Sequence, residues 1–123
     1  MANLERALII RKPWIDLILS GQKSWEMRSR LTNVRGKVGL IESGSGLVVG
    51  SVEIINSFTL NPDCFAETRL QHRVDDLDLL KKWGCVWSLI GAKRFKAPIP
   101  YNHPRGAVVW VNIENLEIKY ATS

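Results

Sequence analysis

The chain is poor in cysteine and histidine, has no long apolar run, and carries none of the glycine-rich loops that cradle nucleotides in a fixed pattern. Each absence closes off a class of protein. The two cysteines, Cys64 and Cys85, are too few and too far apart for a disulfide scaffold or a CxxC metal knuckle, and both read as free thiols. His72 and His103 lack the closely spaced Cys or His partners of a tetrahedral zinc site, so no structural metal is expected. The longest apolar stretches, residues 107–111 and 17–19, fall far short of the roughly 20 residues that span a bilayer, so no membrane partner is expected. The opening MANLERALII has no extended apolar segment with a small-residue cleavage site; a secretory signal is not expected, and a cytoplasmic location follows by default. There is no GxGxxG or GxxxxGK(S/T) loop, and helices do not alternate with the later strands, which removes the parallel dinucleotide-binding folds. No nucleophile elbow surrounds a serine, and the two histidines fall in unrelated segments, so no Ser-His-Asp or Cys-His constellation can be built.

What is present fits one folded domain over residues 1–123, with apolar and charged residues at 46% and 24%, close to the globular average. The net charge of +5 is unevenly placed. Residues 1–37 hold eight Lys or Arg against three acids, whereas residues 38–123 hold nine of each. A basic segment beside a neutral remainder suits an anionic partner, nucleic acid first, because counterion release supplies affinity without sequence readout. The competing reading is a solvated basic face.

Along the chain, residues 6–11 form a first strand, Lys12-Pro13 turns the chain, and PWIDLILS is a short helix with Trp14, Leu17 and Ile18 on one face. Gly21 ends that helix as a left-handed cap. From Lys23 the period becomes two: Lys23, Trp25, Met27 and Ser29 on one face, Ser24, Glu26, Arg28 and Arg30 on the other. Strands are expected at 37–43 and 47–59 around a GSG turn, with Gly50 marking a bulge or a close backbone approach. Helices are expected over 63–70, capped by Asn61, and over 75–83, then strands over 86–90 and 107–118 on either side of a proline-rich crossing, APIPYNHPRG. Strands outnumber helices, and the helices fall in two insertions. The expected fold is therefore α+β, built on a small, mixed, twisted or barrel-like sheet.

The order helix, Gly, then Lys-x-x-Glu-x-Arg, here Gly21, Lys23, Glu26 and Arg28, resembles the GxKxxExR signature of the ASCH family. KPWIDLILSGQKSWEMRS, IESGSGLVVGSVEI and PYNHPRGAVVWV extend the resemblance over most of the chain. It implies a PUA-like β-barrel with the motif lining a cleft, and roles that range from RNA binding and coactivator association to metal-dependent ribonuclease activity and hydrolysis of an acylated cytidine amide. In the hydrolytic members the lysine acts with a threonine three residues on and a later glutamate. Here Lys23 matches, Glu26 stands at the threonine position, and Glu67 is the nearest later glutamate.

The site expected on these grounds is a basic cleft for RNA, a nucleotide or a nucleoside. Lys23 and Arg28 bind phosphate or base, Glu26 reads an amino edge, and Arg30 and Arg35 extend the positive track. Glu26 and Arg28 have an equal claim to be an ordinary ion pair in the cleft wall. Ser24 is a nearby hydroxyl; Glu42, Ser43 and Ser45 form either an opposite rim or a plain hairpin end; Trp14 or Trp25 stacks on a base, with Trp25 the better candidate for the core; Tyr101 and His103 either reach the mouth or are surface turn residues. Trp87 and Trp110 read as core, and Trp83 packs the helical insertion. The rival function is a hydrolase with Lys23 and Glu26 catalytic, and the third is a protein-interaction module. No cofactor is expected, apart from a divalent metal in the nuclease reading.

Overall fold

A computed structural model describes residues 4–114. Six strands run in the order β2-β5-β4-β3-β1-β6. In chain order they are β1 (Arg6–Ile10), β2 (Trp25–Arg28), β3 (Gly36–Glu42), β4 (Leu47–Thr59), β5 (Cys85–Pro100) and β6 (Trp110–Asn112). β1 pairs parallel with β3 and every other neighbouring pair is antiparallel, so the sheet is mixed. Helix α1 (Trp14–Leu19) fills the β1–β2 connection, and a 3-10 turn (Pro62–Cys64) with α2 (Arg69–His72) and α3 (Leu77–Lys82) fills the β4–β5 connection.

The period of two explains how the central strands work. On β1, Leu8 and Ile10 enter one core with Ile15 and Ile18 of α1, while Ala7 and Ile9 enter a second core with Ile41, Phe95 and Val111. A third cluster joins Met27 of β2 and Val86 of β5 to Phe65, Val74 and Leu80 of the helical insertion. The face of α1 that packs inward is Ile15, Ile18 and Leu19, not Trp14, Leu17 and Ile18, and Trp14 is left half-buried at its edge.

Main-chain pairing does not close the sheet into the expected barrel, because β2 and β6 at its two margins do not pair with each other among the described residues. The sheet is nevertheless strongly curled, as twisted sheets are. Arg28 on β2 donates from Nη2 to the Ile9 carbonyl on β1 at 2.6 Å, and Trp87 on β5 stacks on Trp110 of β6 with ring centroids 5.8 Å apart. Side chains, not ladder hydrogen bonds, bridge the seam.

Three expected elements take other forms. The helix over 63–70 breaks into the 3-10 turn and α2, although Asn61 does accept from the Asp63 amide at 2.9 Å; the Thr68 hydroxyl donates to the Cys64 carbonyl at 2.6 Å, competing with a continuous helix. The strand expected at 86–90 runs on through the prolines to Pro100. Its register with β4 jumps from Arg94 to Ile99, and Pro98 falls inside that irregularity, where a missing N–H is tolerated. The strand expected at 107–118 is the short β6, and residues after 114 lie outside the described part.

Gly50 is both the bulge and the close approach that the sequence suggests. Register shifts beside it, and a Cβ there would lie 2.4 Å from the Lys93 carbonyl oxygen and 2.6 Å from Leu19 Cδ2. Leu19 can rotate; the β5 carbonyl cannot move without leaving β4. Gly50→Ala is expected to lower stability by roughly 1–3 kcal/mol, the usual range for overpacking. A urea unfolding midpoint unchanged by the substitution would show that β5 gives way freely.

Candidate functional site

The seam is where the charged motif comes together. After α1, Gly21 takes φ +83° and the amides of Gln22 and Lys23 both donate to the Leu17 carbonyl, which fixes the start of the motif against the helix. The Ser24 amide donates to the Gln71 carbonyl and the Leu89 amide donates to Ser24, so this point is clamped between the helical insertion and β5. Lys23 is thereby driven inward. Its side chain is 1% exposed, and Nζ donates to the His72 carbonyl.

Glu26 lies between two cations. Oε1 is 3.9 Å from Lys23 Nζ, a loose ion pair, while Oε2 accepts from Arg28 Nε and Nη2, each at 2.9 Å. Arg28 also lies over the Trp87 ring, 5.6 Å from its centroid. Burial pushes the Lys23 ammonium down to about 8 from 10.5; Glu26 opposes the fall and Arg28 adds to it.

The platform under Lys23 is His72, itself fully buried. Its Nδ1 accepts from the Val74 amide at 2.9 Å and its Nε2 lies 2.7 Å from the Phe65 carbonyl, an arrangement that requires the neutral Nε2–H ring. Burial lowers its pKa below the ordinary 6.5, with Lys23 and Arg69 adding to the effect and the Phe65 hydrogen bond and Asp75 opposing it.

Beside this cluster opens a cleft of about 1010 Å³. Lys23, Glu26 and Arg28 line it, with Arg11 and Arg30 further out. Aromatic side chains make much of the wall: Trp14 meets Trp83 edge to face at 5.5 Å, and the Trp87–Trp110 stack faces them. Ser43 and Ser45 of the β3–β4 turn and Tyr101 and His103 complete the rim. Among the described residues no group of three or more His, Cys, Asp or Glu is gathered to hold a metal ion, and no helix is long and apolar enough to cross a membrane.

The sequence pattern of the ASCH domain matches residues 8–116. The chain belongs to the ASCH domain family. The fold agrees: the crystal structure of an ASCH protein from Zymomonas mobilis superposes with a TM-score of 0.68 over 90% of this chain and 88% of that one, at 11% identity. A serine-to-alanine variant of the Zymomonas mobilis protein matches with the same score over 89% and 88%, and a tyrosine-to-phenylalanine variant scores 0.64 over 78% and 75%, at 12% identity. Comparison with curated proteins returns no match. The ASCH domain is known as a PUA-like fold, which the open, curled sheet here represents.

Within this ASCH domain, nine residues singled out from sequence meet at the cleft: Trp14, Lys23, Glu26, Arg28, Arg30, Ser43, Ser45, Tyr101 and His103. Three do not. Ser24 is exposed and lines a separate small hollow with Gly91. Arg35 turns its guanidinium back onto the Thr32 and Val34 carbonyls, at 2.8 and 2.9 Å. Glu42 points to Lys12, 3.6 Å away. Glu67 is exposed, outside the cleft lining, and its hydrogen bond to Cys64 pushes that thiol's pKa up.

Trp110, expected in the core, packs half-buried against the first core and also lines the cleft; Trp87 is likewise core and wall at once, and its indole N–H donates to the Arg30 carbonyl at 2.8 Å. Trp83 also serves both purposes, packing against the insertion cluster and lining the cleft. Alternation along VVWV places Val111 and Trp110 on opposite faces, Val111 in the second core and Trp110 against the first, beside the cleft.

Proposed function

We propose that this ASCH domain binds a nucleobase, carried by a free nucleotide or exposed in RNA, in the cleft at the seam. The observation that carries the reading is the pairing of aromatic walls with a buried charged floor. Lys23, Glu26 and Arg28 formally sum to one positive charge, in a hollow at the upper end of the size range for small-molecule sites. Aromatic faces give base stacking without demanding a sequence. The floor supplies hydrogen-bond donors to base carbonyl or ring-nitrogen acceptors, and Arg11 and Arg30 at the margin supply phosphate contacts. Glu26 acts as the counter-ion that keeps both cations in place.

The expected result is saturable quenching of tryptophan fluorescence by nucleosides or nucleotides, together with short-RNA affinity that falls steeply as salt rises. Trp14→Ala is expected to weaken binding about tenfold, the scale of losing one stacking surface. A wild-type protein that binds none of these ligands, or a variant that binds as well, would overturn the reading.

A second reading is favoured by one observation, the lowered pKa of Lys23. An amine near 8 can exchange protons close to neutral pH, which suits a hydrolase using Lys23 with Glu26 beside it. Product formation scored separately from binding distinguishes the two.

A further inference from the structure

Tyr101 and His103 lie at the rim, apart from the charged floor, and are committed to each other. His103 Nε2 is 2.9 Å from the Ala107 carbonyl oxygen, and His103 Nδ1 is 2.8 Å from the Tyr101 hydroxyl. A carbonyl oxygen can only accept, so Nε2 carries the hydrogen. In the neutral ring Nδ1 is then a bare lone pair, and the phenol must donate to it. The pair is held from both ends. The Tyr101 amide donates to the Gly46 carbonyl at 3.1 Å, and the Ala107 amide donates to the Pro104 carbonyl at 3.2 Å, closing the turn that presents the ring's acceptor.

The phenolic proton is therefore taken, and what the Tyr101 oxygen has left for the cleft is lone pairs. Turning that proton toward a ligand would leave Nδ1 unpaired. Elsewhere the lining is rich in donors, with Arg11, Lys23, Arg28 and Arg30, and among the described residues its carboxylate is Glu26, which has Lys23 at one oxygen and two Arg28 hydrogens at the other. The Ser45 hydroxyl donates to the Glu42 carbonyl and accepts from the Leu47 amide.

We propose that the Tyr101–His103 pair makes the Tyr101 oxygen an acceptor-only reader, which selects a base presenting an amino group over the counterpart presenting a carbonyl. The inference rests on the base-binding reading of the cleft. An amino group completes a hydrogen bond to that oxygen; a carbonyl meets it lone pair to lone pair and loses its water without replacement.

The test compares adenosine with inosine and cytidine with uridine, titrated in mildly alkaline buffer against wild type, Tyr101→Phe and His103→Ala, with circular dichroism confirming that each variant is folded. Wild type is expected to favour the amino-bearing member of each pair by about fivefold to tenfold, the scale of one net hydrogen bond. Tyr101→Phe should erase the preference by weakening the amino-bearing ligand. His103→Ala should erase it the other way, by strengthening the carbonyl-bearing one, because the phenol is then free to donate. A preference that survives both substitutions, or a wild-type preference for the carbonyl, overturns the inference. Binding without any preference overturns it while leaving base binding intact, and failure of all four nucleosides to bind removes both. Independently of any ligand, nitrogen chemical shifts of His103 should report a protonated Nε2; a protonated Nδ1 in the neutral ring overturns the proposal.

Discussion

Glu26→Gln is expected to destabilise the protein by about 3 kcal/mol, at the lower end of what breaking a buried ion pair costs. The carboxylate is 8% exposed and stands between Lys23, at 1%, and Arg28, at 21%. Glutamine keeps the volume and one acceptor but withdraws the anion. Arg28 still has the Ile9 carbonyl, the Trp87 face and partial access to water. Lys23 keeps only the His72 carbonyl. Glu26 is the charge holding the Lys23 ammonium up, so its removal should also drive the Lys23 pKa below about 8. Chemical denaturation measures the first effect and carbon-detected titration of the lysine side chain the second. A loss below 1 kcal/mol with an unmoved lysine would mean that the three charges do not act as a unit.

Lys23→Met should behave in the opposite manner: stability at neutral pH within about 1 kcal/mol of wild type, and ligand binding weakened at least tenfold. The sign follows from linkage. The Lys23 pKa is 10.5 when exposed and about 8 when folded, so between those values the unfolded chain holds a proton that the folded chain has lost. Stability therefore rises with pH across that window and sits at its lower level beneath it. At neutral pH the folded protein carries a buried ammonium at a penalty of roughly 3 kcal/mol, reckoned at 1.36 kcal/mol per unit of pKa. Methionine removes that penalty and leaves Glu26 paired with Arg28. The His72 carbonyl loses its donor, an opposing cost of roughly 1–3 kcal/mol. The two nearly cancel. The variant should also lose the rise in stability between pH 8 and 10.5 that wild type shows, a signature that thermal melts across that range can read directly. A loss of 3–5 kcal/mol at neutral pH would instead make Lys23 an ordinary structural partner.

The parts legible in the sequence were those set by neighbours along the chain. Gly21 at the end of α1, the period of two through Glu26 and Arg28, and the bulge at Gly50 each follow from local stereochemistry, and each is found in place. The GxKxxExR spacing identified the family and most of the charged floor. What the sequence concealed depends on distant segments. Nothing within β2 says that Arg28 will reach across to Ile9, or that Trp110 will lie on Trp87 at the edge of the core, because both follow from the curl of a sheet whose margins are about 80 residues apart. The prolines of β5 looked like a crossing because their tolerance depends on an irregular register with a distant strand, β4. Arg35 looked like part of a positive track because a local fold-back onto Thr32 and Val34 leaves no mark in composition.

The side-chain seam has a mechanical consequence. The Arg28 reach to Ile9 and the two overlapping indoles fasten the ends of the sheet like a clasp on a cuff, and a clasp can loosen without tearing the cloth on either side. A guest lodged in that gap touches both ends at once and so becomes the missing stave. Occupancy and the tightness of the cuff are then one variable, read from either end.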